Sequence, residues 1–250
     1  MKHLIILNLF LLLALLFLAS ACATLDSSSM ETAKTLPKGE LKAIGYVGSQ
    51  LSTHRMIYTD QLYPEDENEA EPTHLAMGMK LGVGVSNRAE LDLSFCTANL
   101  YNLKGAFKYR LSDYDKTWQY ALMPGAWHSM GYSEFNYPMN DYSPPNEAGF
   151  WNTGFELPFL VTVSPADYFS ATGSAKLALN HIRYKQVDED GIVDQGDYTS
   201  LITALTLTPQ LRYKRFVFMP EVGVYAYPAK EGNFRLQPVW HVGLGMDWGD

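Results

Sequence analysis

The side chains best able to do chemistry in this sequence are charged residues that alternate with large apolar ones. The alternation assigns ten of them to one face of their strands: Lys80, Glu90, Asp92, Lys108, Arg110, Glu156, Lys176, Glu221, His241 and Asp247. Both signs of charge are present, so two arrangements are open. The side chains either pair with one another in a closed interior, because unpaired buried charges are costly, or line a polar pore that selects small solutes.

The elements that position these residues are β-strands, because apolar side chains recur at every second position. Residues 75–85 alternate in this way, residues 86–88 form a tight turn, and residues 91–95 alternate again, which predicts a hairpin. Ten strands are predicted, and eight or twelve would also fit. Their expected ranges are 39–49, 74–86, 89–100, 104–112, 116–130, 149–164, 167–185, 199–212, 215–228 and 235–248.

Three features favour a membrane-spanning antiparallel β-barrel over a soluble barrel or sandwich. Several predicted strands have twelve or more residues, which exceeds the usual soluble strand and suits a tilted membrane strand. Their smaller face is rich in Gly and Ala, as a narrow lumen requires. Short links alternate with long ones at 50–73, 131–148 and 186–198, and Tyr101, Tyr109, Trp118, Trp240 and Trp248 fall near predicted strand ends.

The N-terminus predicts export. Residues 1–21 have a basic start, an apolar run and a small-residue cleavage site, which is typical of a secretory signal. Residues 19–22, Ala-Ser-Ala-Cys, resemble the lipobox of bacterial lipoproteins, although Ala19 stands where leucine is usual. The resemblance implies a diacylglycerol on Cys22. Residues 22–38 are then expected to be a lipid anchor with a flexible tether, and residues 39–250 the barrel.

The charge of the chain limits the classes of molecule that it is expected to bind. The net charge of −8 argues against nucleic-acid binding. Charged residues make up only 18% of the chain, below the share in an average soluble domain. If Cys22 carries lipid, Cys96 has no cysteine partner left, so no disulfide framework is expected.

Over residues 39–248 the chain resembles the small outer-membrane β-barrel proteins of bacteria. Its last strand is similar to the C-terminal signal that those proteins present to the barrel-assembly machinery, although the chain continues to Gly249 and Asp250. The resemblance implies contact with outer-membrane lipid and lipopolysaccharide. If Cys22 is anchored in the periplasmic leaflet, the long loops are expected outside, and an even number of strands returns the C-terminus to the periplasm.

No catalytic, cofactor or metal site is predicted. His54, His74 and His128 belong to no acid–histidine motif, although omptin-like proteolysis and lipid modification stay open. The acidic run 65–71 is expected to be solvated, and residues 186–197 match a calcium loop only in part. The leading hypothesis is a non-catalytic barrel with a narrow or plugged lumen, whose loops bind an unknown ligand or whose wall supports the envelope. The alternatives are a narrow channel for small or apolar solutes and a soluble periplasmic β-sandwich lipoprotein.

Overall fold

The computed structural model describes residues 24–25, 28–57, 75–96, 101–113, 116–135, 146–188, 191–228, 230, 232 and 234–248. Nearly all of them belong to one antiparallel sheet of ten strands. The strands are β1 (Leu41–Ser49), β2 (Leu75–Ser86), β3 (Ala89–Cys96), β4 (Tyr101–Arg110), β5a (Trp118–Leu122) with β5b (Gly125–Phe135), β6 (Asn146–Ala166), β7 (Phe169–Asp188), β8 (Gly191–Tyr213), β9 (Phe216–Pro228) and β10 (Phe234–Trp248).

The sheet closes on itself. Each strand pairs with the next along the chain, and β10 returns to β1 in a ladder from His241↔Gly48 to Trp248↔Leu41. The two parts of β5 act as one strand, because both pair with β4 on one side and β6 on the other. The predicted ten-strand antiparallel barrel is therefore confirmed. The β-sandwich alternative is wrong, since the structure has one continuous closed sheet.

Prolines interrupt two of the ladders. Between β5 and β6, residues 123–124 lie opposite residues 157–158, and Pro124 and Pro158 act as acceptors for the amides of Phe107 and Met123. Between β8 and β9, pairing stops after Leu207↔Val222 and resumes at Leu211↔Phe218. Pro209 and Pro220 lie in this gap, and neither has an N–H to donate.

Two of the long links predicted from the sequence are shorter in the structure. Strands β7 and β8 continue to Asp188↔Gly191, so the expected loop at 186–198 is wrong apart from residues 189–190 at its tip. The outward side chains that the structure describes in this extension, Gln195 and Asp197, are polar, so the apolar alternation that indicates a strand is missing there. The link expected at 131–148 also loses residues to β5b and β6.

The barrel has two unlike ends. We call the end with the turns at 87–88, 167–168 and 214–215 the turn end; β1 begins there and β10 finishes there. The opposite end, where residues 50–74 and 136–145 connect strands, is the loop end. A short helix α1 (Thr53–Ile57) follows β1 at the loop end. No helix among the described residues is long and apolar enough to cross a membrane.

The outer wall of the barrel is apolar and its interior is polar. Leu205 and Leu244 on the outside are 63% and 66% exposed, whereas Glu90 and Lys108 on the inside are 0% and 1% exposed. The outward side chains form an apolar belt that includes Leu81, Leu93, Phe107, Leu157, Leu177, Leu205, Val222 and Leu244. A soluble monomer does not expose so large a continuous apolar surface. With every strand paired to two neighbours, this is the surface of a membrane-spanning barrel.

Candidate functional site: a plugged lumen

A stretch of the chain before β1 lies inside the barrel. We call residues 28–36 the plug segment, and most of its side chains are buried in the lumen: Ser28, Ser29, Met30, Glu31, Ala33, Thr35 and Leu36. This part of the expected flexible tether is therefore enclosed by the barrel wall. Small residues in the segment and in the wall allow the close packing.

Two wall glycines make room for the plug segment and the residues just after it. A Cβ atom on Gly84 would lie 2.0 Å from the carbonyl oxygen of Pro37, and one on Gly243 would lie 2.5 Å from Cε of Met30. The first clash involves backbone, which cannot move aside without shifting the segment. Glycine at these positions thus permits an approach that other residues would prevent.

The plug segment runs from the loop end towards the turn end. Thr24–Leu25 pair with Leu51–Ser52, which follow the loop end of β1. Leu36 lies at the other end of the segment, and Gly39 then donates to the carbonyl of Gly84 (2.8 Å) beside the β2–β3 turn. The expected placement of both termini on one side does not fit this path. Trp248 is at the turn end, whereas Thr24 is towards the loop end.

A network of six charged side chains holds the plug segment in the turn-end half of the lumen. We call it the lumen network: Glu31, Lys42, Lys80, Glu90, Asp92 and Lys108. Glu31 from the plug segment lies 2.7 Å from Lys42 Nζ, 2.9 Å from Lys108 Nζ and 3.8 Å from Lys80 Nζ. Since all six are buried, the pairing offsets the cost of removing these charges from water.

Charge balance in the lumen network depends on the plug segment. Glu90 lies 2.5 Å from Lys42 Nζ and 3.0 Å from Lys108 Nζ, and Asp92 lies 3.1 Å from Lys42 Nζ. The three lysines on the wall face two wall carboxylates, so Glu31 supplies the third negative charge. Burial raises the pKa of the Glu31 carboxyl, but Lys108, Lys42 and Lys80 together lower it more, and the net pKa is below the usual range.

Glu221 fixes the other part of the plug segment. Its two carboxylate oxygens accept hydrogen bonds from the backbone N–H groups of Ser29 (2.9 Å) and Met30 (2.6 Å). Thr208 donates to the same carboxylate at 2.8 Å, and His241 Nδ1 lies 3.0 Å from it. Glu221 follows Pro220 in the interrupted β8–β9 ladder, and its carboxylate faces the lumen there.

A second ion-pair group lies on the lumen wall. Glu156 is 2.7 Å from Lys104 Nζ and 3.3 Å from Lys176 Nζ, and Lys176 also donates to Tyr225 Oη at 2.9 Å. These residues connect four different strands across the interior. The group ties strands together without involving the plug segment.

The remaining predicted lumen residues lie towards the turn end. Arg110 is buried and donates to the carbonyl of Asn87 at 2.7 Å. Asp247 is only partly buried and pairs with Arg212. The structure therefore brings four of the ten predicted residues, Lys80, Glu90, Asp92 and Lys108, together in the lumen network, while the other six form separate groups.

Sequence reasoning did not identify three members of these groups, namely Glu31, Lys42 and Lys104. Lys42 and Lys104 alternate with outward neighbours in the same way as Lys80, so the period-2 pattern contains the signal for them. Glu31 has no such signal, because the plug segment has no period.

The carboxylates Glu31, Glu90 and Asp92 are close enough to hold a metal ion. Lys42 Nζ lies between 2.5 and 3.1 Å from all three, so an ammonium group occupies the position that a cation would take. The arrangement is suited to ion pairing rather than to metal binding.

Apolar packing closes the lumen towards the loop end. A cluster of apolar side chains fills this end of the lumen. It joins Met56 and Ile57 of α1, and Leu51 just before α1, to Phe150 and Tyr227 of the wall. Thr53 accepts a hydrogen bond from Asn152 Nδ2 (3.0 Å), which fixes α1 to the wall. At the turn end a cavity of about 410 Å³ remains between the plug segment and the wall, lined by Lys34, Arg212 and Asp247 among others.

Several residues singled out from the sequence lie elsewhere. Cys22, His74 and the acidic run 65–71 are outside the described residues, as is the side chain of His54. His128 faces outward, with Nδ1 2.9 Å from Thr153 Oγ1. Residues 186–197 form the β7–β8 hairpin, which is antiparallel strand pairing rather than a calcium loop.

Comparison with known proteins gives structural likeness only. No family model matches the chain, and no curated protein matches it. The fold is similar to the outer membrane protease OmpT from Escherichia coli, with 8% identity, a TM-score of 0.45, and coverage of 88% of this chain and 98% of that one.

Two further solved structures are similar at the same level. The translocator domain of the autotransporter NalP from Neisseria meningitidis has 8% identity, a TM-score of 0.48, and coverage of 84% and 89%. Ail, the attachment invasion locus protein of Yersinia pestis, has 13% identity, a TM-score of 0.35, and coverage of 84% and 99%. All three are bacterial proteins whose chains are covered over most of their length.

Proposed function

We propose that this protein is a non-catalytic barrel of the bacterial outer membrane whose lumen is closed by its own N-terminal segment. The observation that carries the proposal is Glu31, which lies on the plug segment and supplies the third negative charge opposite three buried lysines of the barrel wall. A buried charge left without its partner is strongly unfavourable, so the closed state is the stable one. The protein then acts through its surface, as a binding or envelope-supporting barrel.

Conductance in planar bilayers tests the closed lumen. The wild-type chain is expected to give no stable current, while Glu31→Lys, which adds a fourth cation to three lysines, is expected to expel the plug segment and give one. Glu40→Lys is the control, because Glu40 is in the same part of the chain and its side chain is only partly buried. A stable current from the wild type would contradict the proposal.

A narrow channel is the second candidate, and the cavity at the turn end favours it. About 410 Å³ of polar space already lies between the plug segment and the wall, reached from the turn end. A passage would form if the plug segment moved as a unit. Wild-type currents that a cross-link between the plug segment and the wall abolishes would support this candidate.

The orientation that we propose puts the turn end in the periplasm. Bacterial outer-membrane barrels have short periplasmic turns and longer extracellular loops, and the links at 50–74 and 136–145 are the long ones here. Protease added to intact cells is expected to cut at 136–145 and to spare the turn at 87–88. Cutting at 87–88 alone would reverse the orientation.

A secretory signal at 1–21 and a lipid on Cys22 are further parts of the proposal. Two residues span at most about 7 Å, so a lipid on Cys22 would be attached within that distance of Thr24. With the plug segment in the lumen, this attachment point is near the loop end. Incorporation of a radiolabelled fatty acid that Cys22→Ser abolishes would support lipidation. No incorporation into the wild type would exclude it.

A further inference from the structure

A shallow groove crosses the outer wall of the barrel at the turn end. It has a volume of about 600 Å³ and runs across strands β8, β9, β10, β1 and β2. Six of the residues that line it are Ala43, Gly45, Leu211, Phe218, Leu244 and Trp248. The groove exists because Ala43 and Gly45 are small, whereas the outward residues beside them are large. A Cβ atom on Gly45 would meet only the carbonyl oxygen of Leu244, at 3.9 Å, so the space above it is open.

A basic turn borders this groove. The end of β8 and the turn that follows it contain Arg212, Lys214 and Arg215 within four residues, and all three are exposed. Arg212 pairs with Asp247, but neither Lys214 nor Arg215 has an ion pair with a carboxylate among the described residues. Lys214 Nζ lies 5.5 Å from the ring centroid of Tyr213, which itself lines the groove. Cationic charge is thus held at the edge of an apolar surface.

The described residues of the β2–β3 and β6–β7 turns lack this combination. At the β2–β3 turn, Arg88 is neutralised by Asp113, whose Oδ1 lies 2.8 Å from Arg88 Nη2. The β6–β7 turn contains Asp167 next to Tyr168. Unpaired cations beside an open apolar groove therefore occur together at the β8–β9 turn.

We propose that the groove and the basic turn bind one anionic phospholipid of the leaflet at the turn end. The acyl chains lie over Gly45 and Ala43, and the phosphate contacts Lys214 and Arg215. Basic side chains at a membrane surface attract anionic headgroups, and aromatic residues such as Trp248 and Tyr213 occupy the headgroup level of a barrel. The site lies on the outer wall, so it is independent of the state of the lumen.

Native mass spectrometry of the full chain in detergent, titrated with phosphatidylglycerol or phosphatidylcholine, tests the headgroup contact. One retained phosphatidylglycerol per barrel is expected, with weaker retention of phosphatidylcholine. The double variant Lys214→Gln and Arg215→Gln is expected to bind phosphatidylglycerol about thirtyfold more weakly. Each cation near an anionic membrane surface strengthens binding about fivefold, and the variant removes two of them. Arg88→Gln, at the same end, is the control and should bind as the wild type does.

Filling the groove tests the acyl contact. Gly45→Leu is expected to reduce retention of both lipids, whereas Gly105→Leu, at an equally open outward position on β4, should not. Equal binding of the two lipids that is insensitive to the double variant would overturn the proposal. So would a dimer in the wild type that Gly45→Leu dissociates, because a second copy would then occupy the groove. Heat-modifiable migration checks that each variant is folded.

Discussion

Replacing Glu31 by glutamine removes the one charge that the plug segment contributes to the lumen network. The side chain keeps its shape, but three buried lysines are left facing two wall carboxylates. Removing one partner from a buried ion pair costs roughly 3–5 kcal/mol. The lower end of this range applies here, because two of the lysines retain ion pairs with wall carboxylates. Lys42 is still paired with Glu90 and Asp92, and Lys108 is still paired with Glu90. A loss of about 3 kcal/mol shifts the ratio of released to bound plug segment about 150-fold.

Hydrogen exchange of backbone amides measures this shift directly. The amides of Ser29, Met30, Ala33 and Leu36 donate to side chains of the barrel wall, so they exchange only when the plug segment leaves. In Glu31→Gln they are expected to exchange about 150-fold faster, while amides within the strands keep their protection. Glu40→Gln is the matched control, because it makes the same chemical change just outside the plug segment. Wild-type exchange in Glu31→Gln, or equal acceleration in Glu40→Gln, would refute the reasoning.

Three further predictions concern the same lumen. Glu221→Gln weakens the hydrogen bonds to Ser29 and Met30, and bonds to a charged group contribute about 1.5–3 kcal/mol, so release of the plug segment and exchange at all four of its reporter amides are expected to become about 10- to 150-fold faster. The pKa of the Glu31 carboxyl is lower in the folded protein than its ordinary value of 4.5, so its ion pairs stabilise the plug segment fully above that value and progressively less as pH falls below it; protection of the plug amides should be complete at neutral pH and decrease below about pH 4.5. Gly154→Val should reduce the folded fraction on heat-modifiable gels, since its Cβ would lie 2.0 Å from the Trp127 ring, whereas Gly173→Val, with open space outside the barrel, should fold normally.

The strand pattern could be predicted because it depends on local alternation. Leu91 and Leu93 face lipid and Glu90 and Asp92 face the lumen, and this difference is visible in sequence order alone. The alternation is missing where both faces of a strand are polar or mixed, as in the extension of β8 with Gln195 and Asp197. There the outward face has left the apolar belt, so no hydrophobic period marks it.

The plug segment could not be predicted for a different physical reason. Glu31 acquires its role only through three lysines that are distant in sequence, and the segment itself looks like a solvated linker. Small polar residues suit a flexible tether and also suit a narrow lumen, so composition does not separate the two. A tether and a plug differ in their ion-pair partners, and those partners come together only when the barrel has closed.

The path of the chain before β1 also limits what can be attached to it. The sheet that the β10–β1 ladder closes encloses the plug segment, and Thr24–Leu25 lie towards the loop end of the barrel. Any tag or domain fused ahead of Thr24 must therefore be on the loop-end side when the β10–β1 ladder forms. A bulky folded fusion would have to be there before the ring closes, whereas an unfolded peptide could still be drawn through. Assembly of this barrel therefore has to coordinate closure of the sheet with threading of the N-terminal chain, which a barrel with an empty lumen does not require.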